Sequence, residues 1–188
     1  AQKAAIAFLE TLAPEDYVQV MTFHEKIDTV YPLGNDFKKA ASAIKNTRHR
    51  GDTRLYDGLN DALRALESVE GRRAVVALGD GVDDDGRGKQ MSKNDLEVPL
   101  MRALISSIPV YTIGLGTKMD EGVLKTFGAT TGAEYLAAPT VDELIGLYDD
   151  LGQQLAGTYT IRYTSRSPGD GNVRDVKLDY VVPSAKPY

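Results

Sequence analysis

Apolar positions recur along this chain with two periods, one helical and one extended. Ala4, Ala5, Phe8, Leu9 and Leu12 keep one face dry and predict a helix over 1–12, ended by Ala13-Pro14-Glu15-Asp16. "YVQVMTF", Tyr17 to Phe23, is rich in β-formers and predicts a strand. "KIDTVYPL", after the short His24-Glu25 turn, predicts its hairpin partner, and Pro32 places that partner at a sheet edge. Asn35 is the predicted cap of a helix over 36–46 with Phe37, Ala40, Ala41 and Ile44 inward, and Leu55, Leu59, Leu63 and Leu66 mark a further helix over 55–68. "RRAVVAL", Arg72 to Leu78, and "IPVYTIGLG", Ile108 to Gly116, are continuous apolar runs bounded by charge and glycine, as central parallel strands are. A polar loop rich in glycine and aspartate separates them and leads to a helix around 95–106. "DEGVLKTFGATTG" predicts a helix whose end is marked by Gly128 and Gly132, "EYLAA" a short strand, and Val141 to Leu155 an amphipathic helix.

Helices and strands therefore follow one another in turn, with glycine at strand C-terminal ends. That order predicts an α/β fold: an open, mostly parallel, doubly wound, Rossmann-like sheet with helices on both faces. The tail differs, because "TYTIRYTS" and "NVRDVKLDYVV", joined by Pro168-Gly169-Asp170-Gly171, alternate like a C-terminal antiparallel β-hairpin. The expected organisation is an α/β domain over 1–156 and a hairpin extension over 157–188.

Composition narrows the function classes. The 188 residues, 42% of them apolar, suffice for one domain with a real core. A net charge of −5, from 22 basic and 27 acidic residues with no basic run, argues against a nucleic-acid partner and leaves room for a cation. With no cysteine there is neither disulfide nor thiolate metal site. No apolar run reaches the roughly 18 residues of a membrane span, and "AQKAAIAFLE" lacks the basic-then-apolar order of a signal peptide.

In open α/β sheets ligands bind outside the carboxyl ends of the strands. Two candidates reach that rim with oxygen donors. Asp80 follows a buried strand between Gly79 and Gly81, and Thr53 lies in the loop just before a helix. The Thr53 hydroxyl could cap that helix or face a cation shared with Asp80. Spacing alone favours the cap.

Longer segments add a resemblance. From Ala1 to about Tyr163 the chain resembles a von Willebrand factor type A domain, of the bacterial VWFA-related kind, without its first strand. "AAIAFLETLAPEDYVQVMTF" is similar to that family's first helix and following strand, "HRGDTRLYDGLNDAL" to its second metal loop and "RRAVVALGDGVDD" to its third. "IPVYTIGLGTKMDEGVLKTFGATTGAEYLAA" is similar to the next strand, helix and strand. The resemblance implies a non-enzymatic protein-binding, adhesion-type module. Its metal-ion-dependent adhesion site (MIDAS) takes a threonine, carried onto Thr53, an aspartate, carried onto Asp80, and an Asp-x-Ser-x-Ser that has no counterpart here. That element is expected shortly before Ala1, and a chain lacking the strand that bears it is expected to be unstable or to associate. The implied cofactor is magnesium, or manganese or calcium, and the implied partner is a protein that gives a carboxylate to the metal. An exported or cell-envelope location is implied by resemblance alone. Gly51, Asp52 and Gly81 would border the binding face, Gly51 letting the chain turn close to the rim. Asp52 stands where the family more often has glycine. Read alone, Arg50-Gly51-Asp52 is a cell-adhesion tripeptide, but a loop held between sheet and helix makes a poor adhesive peptide.

Two other readings use the same residues. "LGDGVDDDG" also resembles the magnesium-holding element of haloacid-dehalogenase-type phosphatases, yet their Asp-x-Asp-x-Thr nucleophile is absent and two α/β units follow Asp80. A type A domain serving as a metal-free assembly scaffold is the other. Asp83, Asp84 and Asp85 do not form an EF-hand, since the register that places Gly86 correctly puts Gly81 first and Ser92 last, and they read as a solvated acidic loop. His24 and His49 have no serine or cysteine pairing that would suggest a hydrolytic triad, and Tyr56 reads as a core contact.

Overall fold

The computed structural model describes residues 2–48, 51–115 and 119–138. The chain divides into units Ala1–Thr158 and Tyr159–Tyr188, and the described residues all lie in the first. The helix expected over 141–155 and the hairpin expected from residue 157 lie outside the described residues.

Helix α1 (Gln2–Thr11) leads into strands β1 (Val18–Phe23) and β2 (Ile27–Gly34), which pair antiparallel. The register runs Phe23 against Ile27 and Met21 against Thr29, then slips, so that Val20 faces Tyr31 and Val18 faces Gly34. Pro32 sits in that slip, as a residue with no N–H for the ladder must. Among the described residues β2 pairs with β1 alone, which is the edge position that Pro32 predicts.

Helix α2 (Phe37–Asn46) is capped by Asp36, one residue later than expected, whose Oδ1 accepts the Lys39 N–H at 3.1 Å. Helix α3 (Leu55–Leu66) then leads to β3 (Val75–Gly79), α4 (Glu97–Ser106), β4 (Val110–Leu115), α5 (Glu121–Thr131) and β5 (Tyr135–Ala138). β3, β4 and β5 form a parallel sheet in that order, with Ala77 beside Thr112 and Thr112 beside Tyr135. β3 starts at Val75 rather than Arg72 because Arg73 is turned elsewhere. Its guanidinium donates to the carbonyls of Leu66 and Glu67 at the end of α3 and to that of Ser106 at the end of α4. It thus satisfies helix-end acceptors and opposes the negative end of both dipoles.

The main core gathers Leu55, Leu59 and Leu63 of α3, Val75 and Ala77 of β3, Ala103 of α4, Ile108, Val110 of β4 and Phe127 of α5. A second cluster joins Leu9, Tyr31, Ala40 and Ile44, with Val18 and Val20 packed on it. Strand alternation explains how β1 serves both. Val18 and Val20 face α1 and α2, while Phe23 points the other way, onto the core of α3. A parallel sheet of β3, β4 and β5 with α3, α4 and α5 packed on it makes this the α/β architecture expected from the pattern, although among the described residues the strands form two sheets, β1–β2 and β3–β4–β5, instead of one.

Gly128 corrects one detail of that reading. It is not a terminator of α5 but a buried interior residue, where an added Cβ would lie 2.9 Å from the Tyr135 backbone nitrogen. Only a residue without a side chain lets α5 and β5 approach so closely. Gly132 is the C-cap, as expected. Across the helix layer, Arg102 of α4 donates from Nε to Asn60 of α3 at 2.7 Å and pairs with Glu67, fixing α4 against α3.

Candidate functional site

The sequence places Thr53 and Asp80 on two loops, and the fold joins those loops directly. Thr53 and Asp84 form an isolated antiparallel bridge, with Thr53 N–H donating to the Asp84 carbonyl at 2.9 Å and Asp84 N–H returning to Thr53 at 3.1 Å. Asp80 is the first residue after β3 and is exposed. Its Oδ1 accepts the Val82 N–H at 3.1 Å, and its carbonyl accepts the Asp120 N–H at 2.8 Å. Asp120 in turn caps α5 through the Val123 N–H. The rim at the end of β3 is therefore built from the loop before α3, the loop after β3 and the start of α5.

Gly81, expected on the binding face, is instead buried beneath that rim. It has φ +78, and an added Cβ would lie 2.5 Å from the Asp120 carbonyl oxygen and 2.9 Å from Leu124 Cγ. Gly51 is exposed, with no heavy atom within 4 Å of an added Cβ, so close packing does not require glycine there. Asp52 reaches the neighbouring loop, its Oδ1 3.5 Å from the Cβ position of Gly86. Arg50 and His49 lie outside the described residues.

Capping of α3 differs from the reading that spacing favours. The N-cap position is Arg54, whose side chain makes no cap bond. The free N–H groups of the first turn are taken across space. Tyr56 N–H donates to Asp83 Oδ2 at 3.1 Å, and Asp57 N–H to the Ser92 hydroxyl at 3.0 Å. Thr53 stands one residue outside the helix, so its hydroxyl is not needed as the cap.

Asp83 also accepts the Met91 and Ser92 N–H groups at 2.7 Å each and the Ser92 hydroxyl. It is thus an inward-turned junction, and the solvated acidic loop of the sequence reading applies only to its neighbours. Asp84 and Asp85 do lie on the solvent side, taking N–H groups of Arg87, Gly88 and Lys89.

Asp57 completes the framework. Only 7% exposed, it accepts the Lys93 N–H, the Asn94 N–H and the Asn94 side-chain amide, and pairs with Arg54 at 2.8 Å. Burial acts to raise its pKa, but the Lys93 and Asn94 donors and the Arg54 charge outweigh it and hold the carboxyl below its usual 3.8. Sequence reasoning passed over Asp57 and read Asp83 as a solvated loop residue. One signal was available, since a helix entered through Arg54, a poor cap, needs its first N–H groups satisfied by some other segment.

The field at the rim is negative. Burial first, and then the charges of Asp83, Asp120, Glu97 and Asp95, push the Tyr56 phenol above its ordinary value. Tyr56 itself packs on the main core, as expected. Among the described residues no three histidine, cysteine or acidic side chains converge as a metal cage.

The sequence model of the von Willebrand factor type A domain family matches residues 1–82, a span that includes both Thr53 and Asp80. No curated protein matches the chain in sequence. Among solved structures, a von Willebrand factor type A protein from Catenulispora acidiphila is 16% identical with a TM-score of 0.73, over 83% of this chain and 37% of that one. An aerotolerance-related membrane protein from Bacteroides fragilis is 16% identical with a TM-score of 0.68, over 84% of this chain and 87% of that one. Proximal thread matrix protein 1 from the mussel byssus, solved with a zinc-occupied MIDAS motif, is 16% identical with a TM-score of 0.62, over 82% and 41% of the two chains. These likenesses show the type A fold, and the chain spans less than half of the Catenulispora and mussel proteins.

Proposed function

We propose that this chain is a non-enzymatic protein-binding module whose rim gives the Thr53 hydroxyl and the Asp80 carboxylate, two of the donors, to a site for a divalent cation, magnesium, manganese or calcium, whose Asp-x-Ser-x-Ser element has no counterpart in this sequence. The observation that carries the reading is the bridge between Thr53 and Asp84, which ties the loop bearing one oxygen donor to the loop bearing the other at the end of β3. Both donors are hard oxygens, and the negative field at Tyr56 favours a cation there. The family match over both residues and the zinc-occupied MIDAS motif of the mussel protein support the same reading.

The cation would supply an open coordination position, and the protein partner would fill it with a carboxylate. The chain's own part is to hold Thr53 and Asp80 in place, through Asp84 on one side and Asp120 on the other. Gly51 and Asp52, on the loop beside Thr53, would border the partner. A cell-envelope location is proposed from the likeness to the Bacteroides membrane protein, although among the described residues no helix is long and apolar enough to cross a membrane.

Thermal unfolding with added magnesium or manganese tests the cation. A cation at 100 times its dissociation constant, bound only by the folded state, adds about 2.7 kcal/mol, and the midpoint should rise by roughly 5–10 °C. The double variant Thr53→Ala, Asp80→Ala should show no rise. Equal midpoints with and without cation in the unaltered protein would sink the reading.

A further inference from the structure

We propose that Asp83 is a positioning residue for the rim: it fixes the spacing of the Thr53 and Asp80 loops, and so sets cation affinity without touching the cation. The inference rests on the cation reading above and extends it to a residue three positions beyond Asp80.

The geometry is that of a filled junction. A carboxylate offers about four acceptor sites. Asp83 spends two on the N–H groups of Met91 and Ser92 through Oδ1, and two on the Tyr56 N–H and the Ser92 hydroxyl through Oδ2. No acceptor capacity is left for a metal, so Asp83 is not a ligand. Its donors come from two separate segments, the first turn of α3 and the loop ahead of α4. Bonds to an ionised acceptor are short and strong, so this junction resists opening.

Its place in the chain gives the junction its consequence. Asp83 lies between Asp80, the proposed ligand, and Asp84, the residue bridged to Thr53. Tyr56, which it grips, lies three residues after Thr53. Each proposed ligand is therefore within three residues of an anchor point on the same carboxylate. Residues that orient ligands from outside the coordination shell are worth about 10- to 100-fold in metal affinity.

Asp83→Asn keeps the shape but offers one acceptor oxygen and turns an NH2 group toward donors that previously found oxygen. Two readouts separate the junction from the cation. Amide hydrogen exchange, read by NMR without metal, reports whether the Thr53–Asp84 bridge stays closed. Electron paramagnetic resonance of free Mn2+ gives the affinity. In Asp83→Asn the Thr53 and Asp84 amides should exchange at least about 10-fold faster, and Mn2+ affinity should fall about 10- to 100-fold. Phe127→Leu, in the core on α5, should lower the melting midpoint and leave Mn2+ affinity unchanged, which distinguishes positioning from mere loss of stability. Should Asp83→Asn fail to fold, Ser92→Ala, which removes one of the four donors together with the acceptor of the Asp57 N–H and leaves the Tyr56, Met91 and Ser92 N–H bonds to Asp83, should shift both readouts in the same direction. Wild-type protection of Thr53 and Asp84 in the variant overturns the junction. Wild-type Mn2+ affinity with an opened bridge overturns its control of the site. An unaltered protein that binds no Mn2+ overturns the cation reading and this proposal with it, while the exchange data still judge the junction.

Discussion

Gly81→Ala is expected to cost about 2–5 kcal/mol, the sum of about 1–2 for a side chain in the left-handed region and about 1–3 for overpacking. The new Cβ would sit 2.5 Å from the Asp120 carbonyl oxygen, inside the distance at which atoms can remain without movement. The obstacle is backbone, so no rotamer change relieves it. Something must shift, and what shifts is the start of α5, because Asp120 is its N-cap. Asp80 moves too, since its carbonyl holds the Asp120 N–H. The variant should therefore lower the urea midpoint and weaken cation binding together. Retention of the unaltered midpoint within about 0.5 kcal/mol would show that the chain does not turn here through a left-handed glycine.

Asp57→Ala should cost about 3–5 kcal/mol, the usual loss when one partner of a buried pair is removed. It strands the N–H groups of Lys93 and Asn94 and leaves Arg54 without its counter-charge. The Arg54 Nε already has no hydrogen-bond partner, so the guanidinium cannot re-pair there without moving. The same residue predicts a response to acid. Its carboxyl titrates below 3.8 when folded, so the stability it contributes is fully present above the ordinary carboxylate range and is lost as pH falls through the folded value. Melting midpoints from neutral pH down to about pH 2 should fall less steeply for Asp57→Asn than for the unaltered protein. Parallel profiles would remove Asp57 as a source of the acid sensitivity.

Both effects bear on what a sequence can disclose. The strands β3 and β4 were legible because a run such as Ala74 to Leu78 must be covered on both faces wherever it goes. The inward face of α3 was legible because Leu55, Leu59 and Leu63 repeat at helical spacing, and all three are buried. Asp80 could be placed at the rim because it follows β3, whereas Thr53, on the loop between α2 and α3, was placed there only by the family resemblance. Asp83 could not be separated from Asp84 and Asp85 by any local rule. Three adjacent carboxylates look alike until the fold turns one of them toward Tyr56 and Ser92. Gly128 misled for a related reason, because glycine marks both helix ends and close crossings, and only the partner segment distinguishes them. The β3 boundary slid to Val75 because the demand on Arg73 comes from two distant helix ends.

The bonds that frame the rim also have a place in time. Those from Asp83 to Tyr56 and from Asp57 to Ser92, Lys93 and Asn94 join residues 27 to 37 positions apart. Such long closures lose chain entropy before any contact repays it, so they form after the local turns of α3 and α4. Asp57→Ala should accordingly quicken unfolding more than it slows refolding. The frame of the surface proposed to grip a partner would thus be set only after the helices that carry it have formed.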